Sequence, residues 1–165
     1  RFPRARAYLA RYEGLLTRRG IYRKHLQTQP VYACYDIGPY SFAPVKVVWK
    51  ALAAGVRACV VEGPAGAPIV PDHNVVLVPL DDPAEAHFLC GVLNSPLVTR
   101  FADAYTGWFY STHLLQTFKA PQSNQRCSLH REITALSQEA HRSRGAPDDL
   151  QARLDPLVER LYEHP

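Results

Sequence analysis

Apolar residues recur at helical spacing along residues 5–19, ARAYLARYEGLLTRR, where Tyr8, Leu9, Tyr12, Leu15 and Leu16 mark one stripe. The spacing predicts a helix stopped at Gly20. The following IYRKHLQTQPVYACYDIGPYSFAP is aromatic and irregular, and Pro30, Pro39 and Pro44 exclude a long helix there. Runs rich in β-branched residues at 45–52 (VKVVWKAL), 56–62 (VRACVVE) and 73–80 (HNVVLVPL) predict three strands. Ala54-Gly55 can turn the chain between the first two, and GPAGAP at 63–68 is a loop. Four consecutive apolar residues in the third run imply burial on both faces or an internal place in a sheet.

The most hydrophobic helical stretch, FLCGVLNSPLVTRF at 88–101, is interrupted by polar Asn94-Ser95-Pro96. The residues around the break punctuate two helices. Asp81 or Asp82 can cap the first, with Pro83 at its first position and Glu85 near the positive end of its dipole. Asn94-Ser95 ends that helix, and Ser95 with Pro96 opens a second over 96–105. Asn94 and Ser95 thus satisfy two helix ends. The turn they make brings the aromatic segment TGWFYSTHLLQTFKAPQ (106–122), closed by Pro121, to a surface. After a short linker, amphipathic helices are predicted at 129–145 and 147–164, with Gly145 ending one and Pro147 opening the next. Pro156 predicts a kink, or a restart capped by Asp155. The pattern implies an α/β (α+β) fold, a small mixed sheet packed by helices and ending in a helical hairpin. Residues 1–125 form the core, and 126–165 the hairpin, within the same domain or appended to it.

The 165 residues suit one domain, and 47% hydrophobic content supplies a core. The net charge of +4 conceals an asymmetry. Residues 1–30 hold eight Lys and Arg against a single acid, Glu13. Such local basicity marks either a surface for a polyanion or a solvated helix face. The chain lacks Met and starts at Arg1, so it is expected to be a piece of a longer protein. It shows neither a signal-peptide pattern nor a long apolar run. Cys34, Cys59, Cys90 and Cys127 are scattered, as for reduced, buried thiols in a cytoplasmic protein.

Conventional catalytic patterns are missing. There is no phosphate-binding glycine loop and no nucleophile elbow. Asp72-His73 precedes a strand and reads as a polar turn. His87-x-x-Cys90 and Cys127-x-x-His130 form a zinc-like inventory, yet the first pair lies inside a predicted apolar helix, so no metal is expected. A nuclease-like set of Asp72, Glu62 and Lys46 matches no recognisable metal spacing. Groups suited to nucleic acid are better represented. RRGIYRKH places Arg18, Arg19, Arg23 and Lys24 around Tyr22, combining phosphate-neutralising cations with a stacking ring. GWFYSTH places Trp108, Phe109 and Tyr110 beside Ser111, Thr112 and His113, whose polar atoms can meet base edges. Two of the three aromatics are expected in the core, leaving Tyr110 and His113 exposed. Lys46 and Lys50 share one strand face, and Lys119 closes the aromatic segment.

The order KVVWKAL, VVLVPL, LCGVLNSPL, GWFYSTHLLQTFKAP and LQARLDPLVERLYEH resembles the TaqI-like C-terminal specificity, or target recognition, domain of N6-adenine DNA methyltransferases. That domain also occurs in fused restriction–modification enzymes of bacterial defence. The likeness covers roughly residues 5–122 and the tail. The chain departs from the family pattern in carrying Leu114-Leu115 and the single Pro121 after Lys119. The resemblance implies sequence-specific binding of double-stranded DNA, and the residues expected on their own chemistry to make the contacts are Arg18, Arg19, Tyr22, Arg23, Lys24, Lys46, Lys50, Tyr110, Ser111, His113 and Lys119. It implies a partner catalytic domain in the same parent chain, before Arg1, which would bind S-adenosylmethionine. The Asn/Asp-Pro-Pro-aromatic tetrapeptide of that domain is absent here, so this chain is expected to have neither cofactor nor methyl-transfer activity. The competing reading is a protein-interaction module that docks a partner on helices 129–164.

Overall fold

Residues 2–64, 67–143 and 149–163 are described by the computed structural model of the chain. They fall into two units, one ending at Gly38 and one starting at Pro39. In the first, the predicted helix over 5–19 is two short helices, α1 (Pro3–Ala10) and α2 (Glu13–Leu16), followed by a π-helical turn over Tyr22–Leu26. α1 buries none of its residues. A short helix with no packed face has little to keep it continuous, and the chain breaks at Arg11-Tyr12.

The second unit is built on a three-stranded sheet of order β2-β1-β3, with β1 at Val45–Lys50, β2 at Ala58–Glu62 and β3 at Val75–Leu80. Both pairings are antiparallel, and Val47 faces Val60 on one side and Val78 on the other. The sheet is therefore not mixed. The β1–β2 connection is far too short for a parallel crossover. The third run is an edge strand, half-buried along most of its length. The central place belongs to β1, where Val45 to Trp49 are all buried.

Helix α3 (Pro83–Leu93) packs on the sheet with one side and on α6 (Ser128–Arg142) with another. That explains why its apolar residues show no clear stripe: a helix covered on opposite sides is apolar nearly all round. Of the two candidate caps it is Asp82 that serves, accepting from Ala84 N–H at 2.8 Å. Gly91 lets α6 approach. A methyl group there would stand 2.6 Å from Ile133 Cγ2 and 3.0 Å from the Ile133 carbonyl oxygen.

The polar break then connects three elements. The Asn94 amide accepts from Ala58 N–H at 3.0 Å and donates to the Ala58 carbonyl at 2.9 Å, closing part of the open edge of β2. It also donates to the Cys90 carbonyl of its own helix at 2.9 Å. Ser95 caps α4 (Pro96–Thr106) by accepting from Leu97 N–H at 3.1 Å. Asp155 joins it, receiving hydrogen bonds from Ser95 Oγ at 2.7 Å and Leu97 N–H at 2.8 Å. Burial pushes the Asp155 carboxyl upward, but these bonds and the nearby Arg100 outweigh it and hold its pKa below the usual value.

Asp155 lies in α7 (Leu150–Glu163), which continues through Pro156. The expected restart capped by Asp155 is absent, because the carboxylate is committed to the start of α4. The roles expected of Gly145 and Pro147 lie outside the described residues. The amphipathic faces of α6 and α7 are turned inward, burying Ile133, Leu136, Leu150, Leu154, Leu157, Val158 and Leu161. Among the described residues no helix is long and apolar enough to cross a membrane. All four cysteines are free thiols. Cys34 and Cys59 are exposed rather than buried, Cys59 because it lies on the outer strand β2.

Three histidines seal the α3–α6 packing. His87 Nδ1 lies 3.0 Å from Ser137 Oγ, and its ring meets that of His141 edge-on at 4.9 Å. His130 stacks on Phe88 at 4.3 Å. Burial, followed by the neighbouring His141, depresses the His87 pKa, and burial depresses that of His130.

Replacing Gly91 by Ala should cost about 1–3 kcal/mol of stability, measured by urea unfolding, because α6 must move outward. Urea midpoints should also depend on pH. The unfolded chain takes up protons that folded His87 and His130 resist, so their contribution is intact above roughly pH 6.5 and declines as pH falls through the depressed folded values.

Candidate nucleic-acid interface

The loop between β1 and β2, residues 51–57, is fixed by its neighbours. Tyr110 N–H donates to the Ala51 carbonyl at 2.8 Å, and the Trp49 indole N–H donates to the Tyr110 carbonyl at 2.9 Å. The Tyr110 hydroxyl accepts from Gly55 N–H at 3.0 Å and donates to Asp103. Val56 N–H donates to Thr99 Oγ1 at 3.2 Å. Gly55 and Gly107 both adopt positive φ, +85° and +68°, at the two turns this arrangement requires. An isolated antiparallel bridge between Leu52 and Phe109 aligns the loop with the segment after α4.

The surface so formed is apolar, aromatic and cationic. Trp108 is 70% exposed, Phe109 51% and Leu52 52%. Beside them lies an open cavity of about 390 Å³ lined by Lys50, Leu52, Ala53, Ala54 and Arg57. Residues 45–61 and 104–131, which include the loop and the aromatic segment, contain no Asp or Glu, while Asp72 lies beyond Asn74, whose carbonyl accepts from Ala51 N–H. Arg57, Trp108 and Phe109 were not among the expected contact residues. The absence of carboxylates from both stretches is the sequence signal that marks them.

The structure separates the predicted contact residues. Tyr110 is buried, 1% exposed, and serves as the pin between loop and helix. Burial and its bond to Asp103 raise its pKa. The aromatics that reach solvent are Trp108 and Phe109, because backbone pairing at Ala51 turns Tyr110 inward. Lys46 is buried and donates to the Ala43 carbonyl, and burial lowers its pKa. It shares a face with Lys50, as strand alternation predicts, but only Lys50 at the strand end is exposed. Ser111 is half-buried and accepts from His113 N–H at 3.3 Å. His113 opens α5 (His113–Phe118) and is exposed, as is Lys119 just after it.

In the first unit Arg18, Arg23 and Lys24 are exposed. Arg19 and Tyr22 are folded inward. Arg19 donates to the Leu16, Val31 and Ala33 carbonyls at 3.0, 2.7 and 3.1 Å, tying residues 31–33 to α2. Its guanidinium lies 5.8 Å from the Tyr22 ring centre, and the Tyr22 hydroxyl donates to the Gln29 carbonyl at 3.1 Å. Neither side chain has the freedom of a phosphate-binding cation or a stacking ring.

The other candidate chemistries are occupied by packing. Cys90 is buried, with its thiol pushed up to about 12 by burial. His130 Nδ1 accepts from Asn124 N–H at 2.9 Å. Asp72 is paired with His73 at 2.8 Å and Asn74 at 3.1 Å on an exposed turn. Among the described residues no three His, Cys, Asp or Glu side chains are grouped to hold a metal ion. The chain matches no protein-family model, and no curated protein is detectably similar to it.

The aromatic pair and the pin should respond oppositely to mutation. Tyr110→Phe leaves Gly55 N–H and Asp103 without their shared partner and should cost about 1–3 kcal/mol in urea unfolding. Trp108→Ala, on an exposed side chain, should stay within about 0.5 kcal/mol of the parent.

Proposed function

We propose that the chain is a DNA target-recognition domain, serving an N6-adenine DNA methyltransferase or a fused restriction–modification enzyme. The observation that supports this reading is the cationic and aromatic surface of the second unit, where Lys50 and Arg57 line one cavity with Leu52, and Leu52 is bridged to exposed Phe109 beside exposed Trp108. Cations at such a surface neutralise phosphates and release counterions, and aromatic and polar groups beside them carry the discrimination between bases. Arg18, Arg23 and Lys24 supply a second set of exposed cations on the first unit. Ser111, His113 and Lys119 complete the candidate contacts. The apolar faces of α6 and α7, which the interaction-module reading needs, are packed within the chain. Methyl transfer and S-adenosylmethionine binding belong in this reading to a catalytic domain of the parent protein, working in the cytoplasm.

Selection of bound sequences from a random duplex pool, repeated at several salt concentrations, tests the proposal. The expected outcome is an enriched motif with steeply salt-dependent affinity. Lys50→Ala and Arg57→Ala should each reduce the salt slope by about one. Absence of binding even at low salt would overturn the reading.

A further inference from the structure

We propose that His141 is a pH-sensitive latch: its neutral ring holds the last turn of α6 on β2, and a second ring proton releases it. The latch is a property of the fold and holds whether or not the chain binds DNA. β2 is an outer strand, so the amides of its free edge have no neighbouring strand to pair with. Val60 N–H instead donates to His141 Nε2 at 2.9 Å. The other ring nitrogen, Nδ1, lies 2.8 Å from the Ser137 carbonyl one turn earlier in α6. A carbonyl only accepts and an amide N–H only donates, so the two contacts fix the tautomer. Nδ1 carries the hydrogen and Nε2 is bare. A further proton has one place to go, Nε2, where it would point at the Val60 N–H. Proton uptake and the bond to β2 therefore exclude each other. His141 is exposed, so the proton reaches it from water.

The charges around the ring favour release once the proton is on. His87 of α3 meets His141 edge-on at 4.9 Å and shares Ser137 with it, its Nδ1 lying 3.0 Å from Ser137 Oγ. Two imidazolium rings so close repel each other. Arg142 of α6 adds positive charge to the pair, and Glu62 of β2 opposes it. Glu139 of α6 is engaged by Arg153 of α7. Cys90 of α3 holds a neutral thiol, pushed up to about 12 by burial. Farther back along α6, Ile133 and Leu136 are buried without a titratable atom. They seat the middle of the helix, so release is confined to its end.

Amide exchange of the whole chain, followed by NMR and corrected for the intrinsic pH dependence, tests the latch. Val60 N–H should exchange about tenfold faster at about pH 5.5 than at about pH 7.5. Val92 of α3 and Leu154 of α7 are fully buried, and their amides follow the stability of the whole unit. Their acid step should be smaller than that of Val60. His141→Phe keeps a ring beside His87 but offers no acceptor. In that variant Val60 should exchange fast at both pH values, while Val92 and Leu154 behave as in the parent. Nitrogen shifts of the His141 ring at about pH 7.5 should show the hydrogen on Nδ1. Equal protection of Val60 at the two pH values overturns the inference. A Val60 step no larger than those of Val92 and Leu154 overturns it too, because the opening is then global. So does an acid step that survives in His141→Phe, or a hydrogen found on Nε2 of the neutral ring.

Discussion

The larger unit is organised by a helix that has almost no face to give to water. α3 must be covered by the sheet on one side and by α6 on the other, and Gly91 sets how near α6 can come. A helix so enclosed cannot simply run on into solvent. It stops at Asn94, and that residue's side chain bonds both the end of α3 and the backbone of β2. Ser95 then begins α4 with the help of a carboxylate from α7. The polar break in the apolar stretch is thus the junction at which sheet, central helix and C-terminal helix are fastened to each other.

That fastening explains the geometry of the proposed interface. α4 leaves the junction in a fixed direction, and its residues Thr99 and Asp103 hold the β1–β2 loop directly and through Tyr110. Trp108 and Phe109 follow the Gly107 turn and are carried to the same surface. Rigidity below and apolar exposure above go together here. The aromatic side chains remain in water although the backbone beside them is hydrogen-bonded at Ala51, Gly55, Val56 and Tyr110.

What was legible in the sequence was what depends on near neighbours. Asp82-Pro83 and Ser95-Pro96 start helices because a cap acts within its own first turn, and the β-branched runs became strands close to where they were expected. What escaped was decided by distant partners. Asp155 looks like a local cap and is a remote one, because α7 passes the start of α4. Lys46 looks like a surface cation and is buried, because β1 turned out to be the central strand. Arg19 reads as one cation among four, yet its planar fork fits a cluster of carbonyls a dozen residues away. Tyr110 and Trp108 differ in burial because of a single backbone pairing at Ala51, which no composition rule contains.

The side chains of Asn94 and His141 occupy Ala58 and Val60 on the outer edge of β2, the latter through a 2.9 Å bond from Val60 N–H to His141 Nε2. On the opposite edge, Pro79 removes a donor from β3. Open strand edges are where sheets recruit further strands, from a neighbour or from a misfolded copy. With one edge occupied and the other interrupted, this sheet is poorly suited to templated growth. A three-stranded sheet can therefore stay three-stranded at high protein concentration, and any self-association has to be sought on surfaces other than its margins.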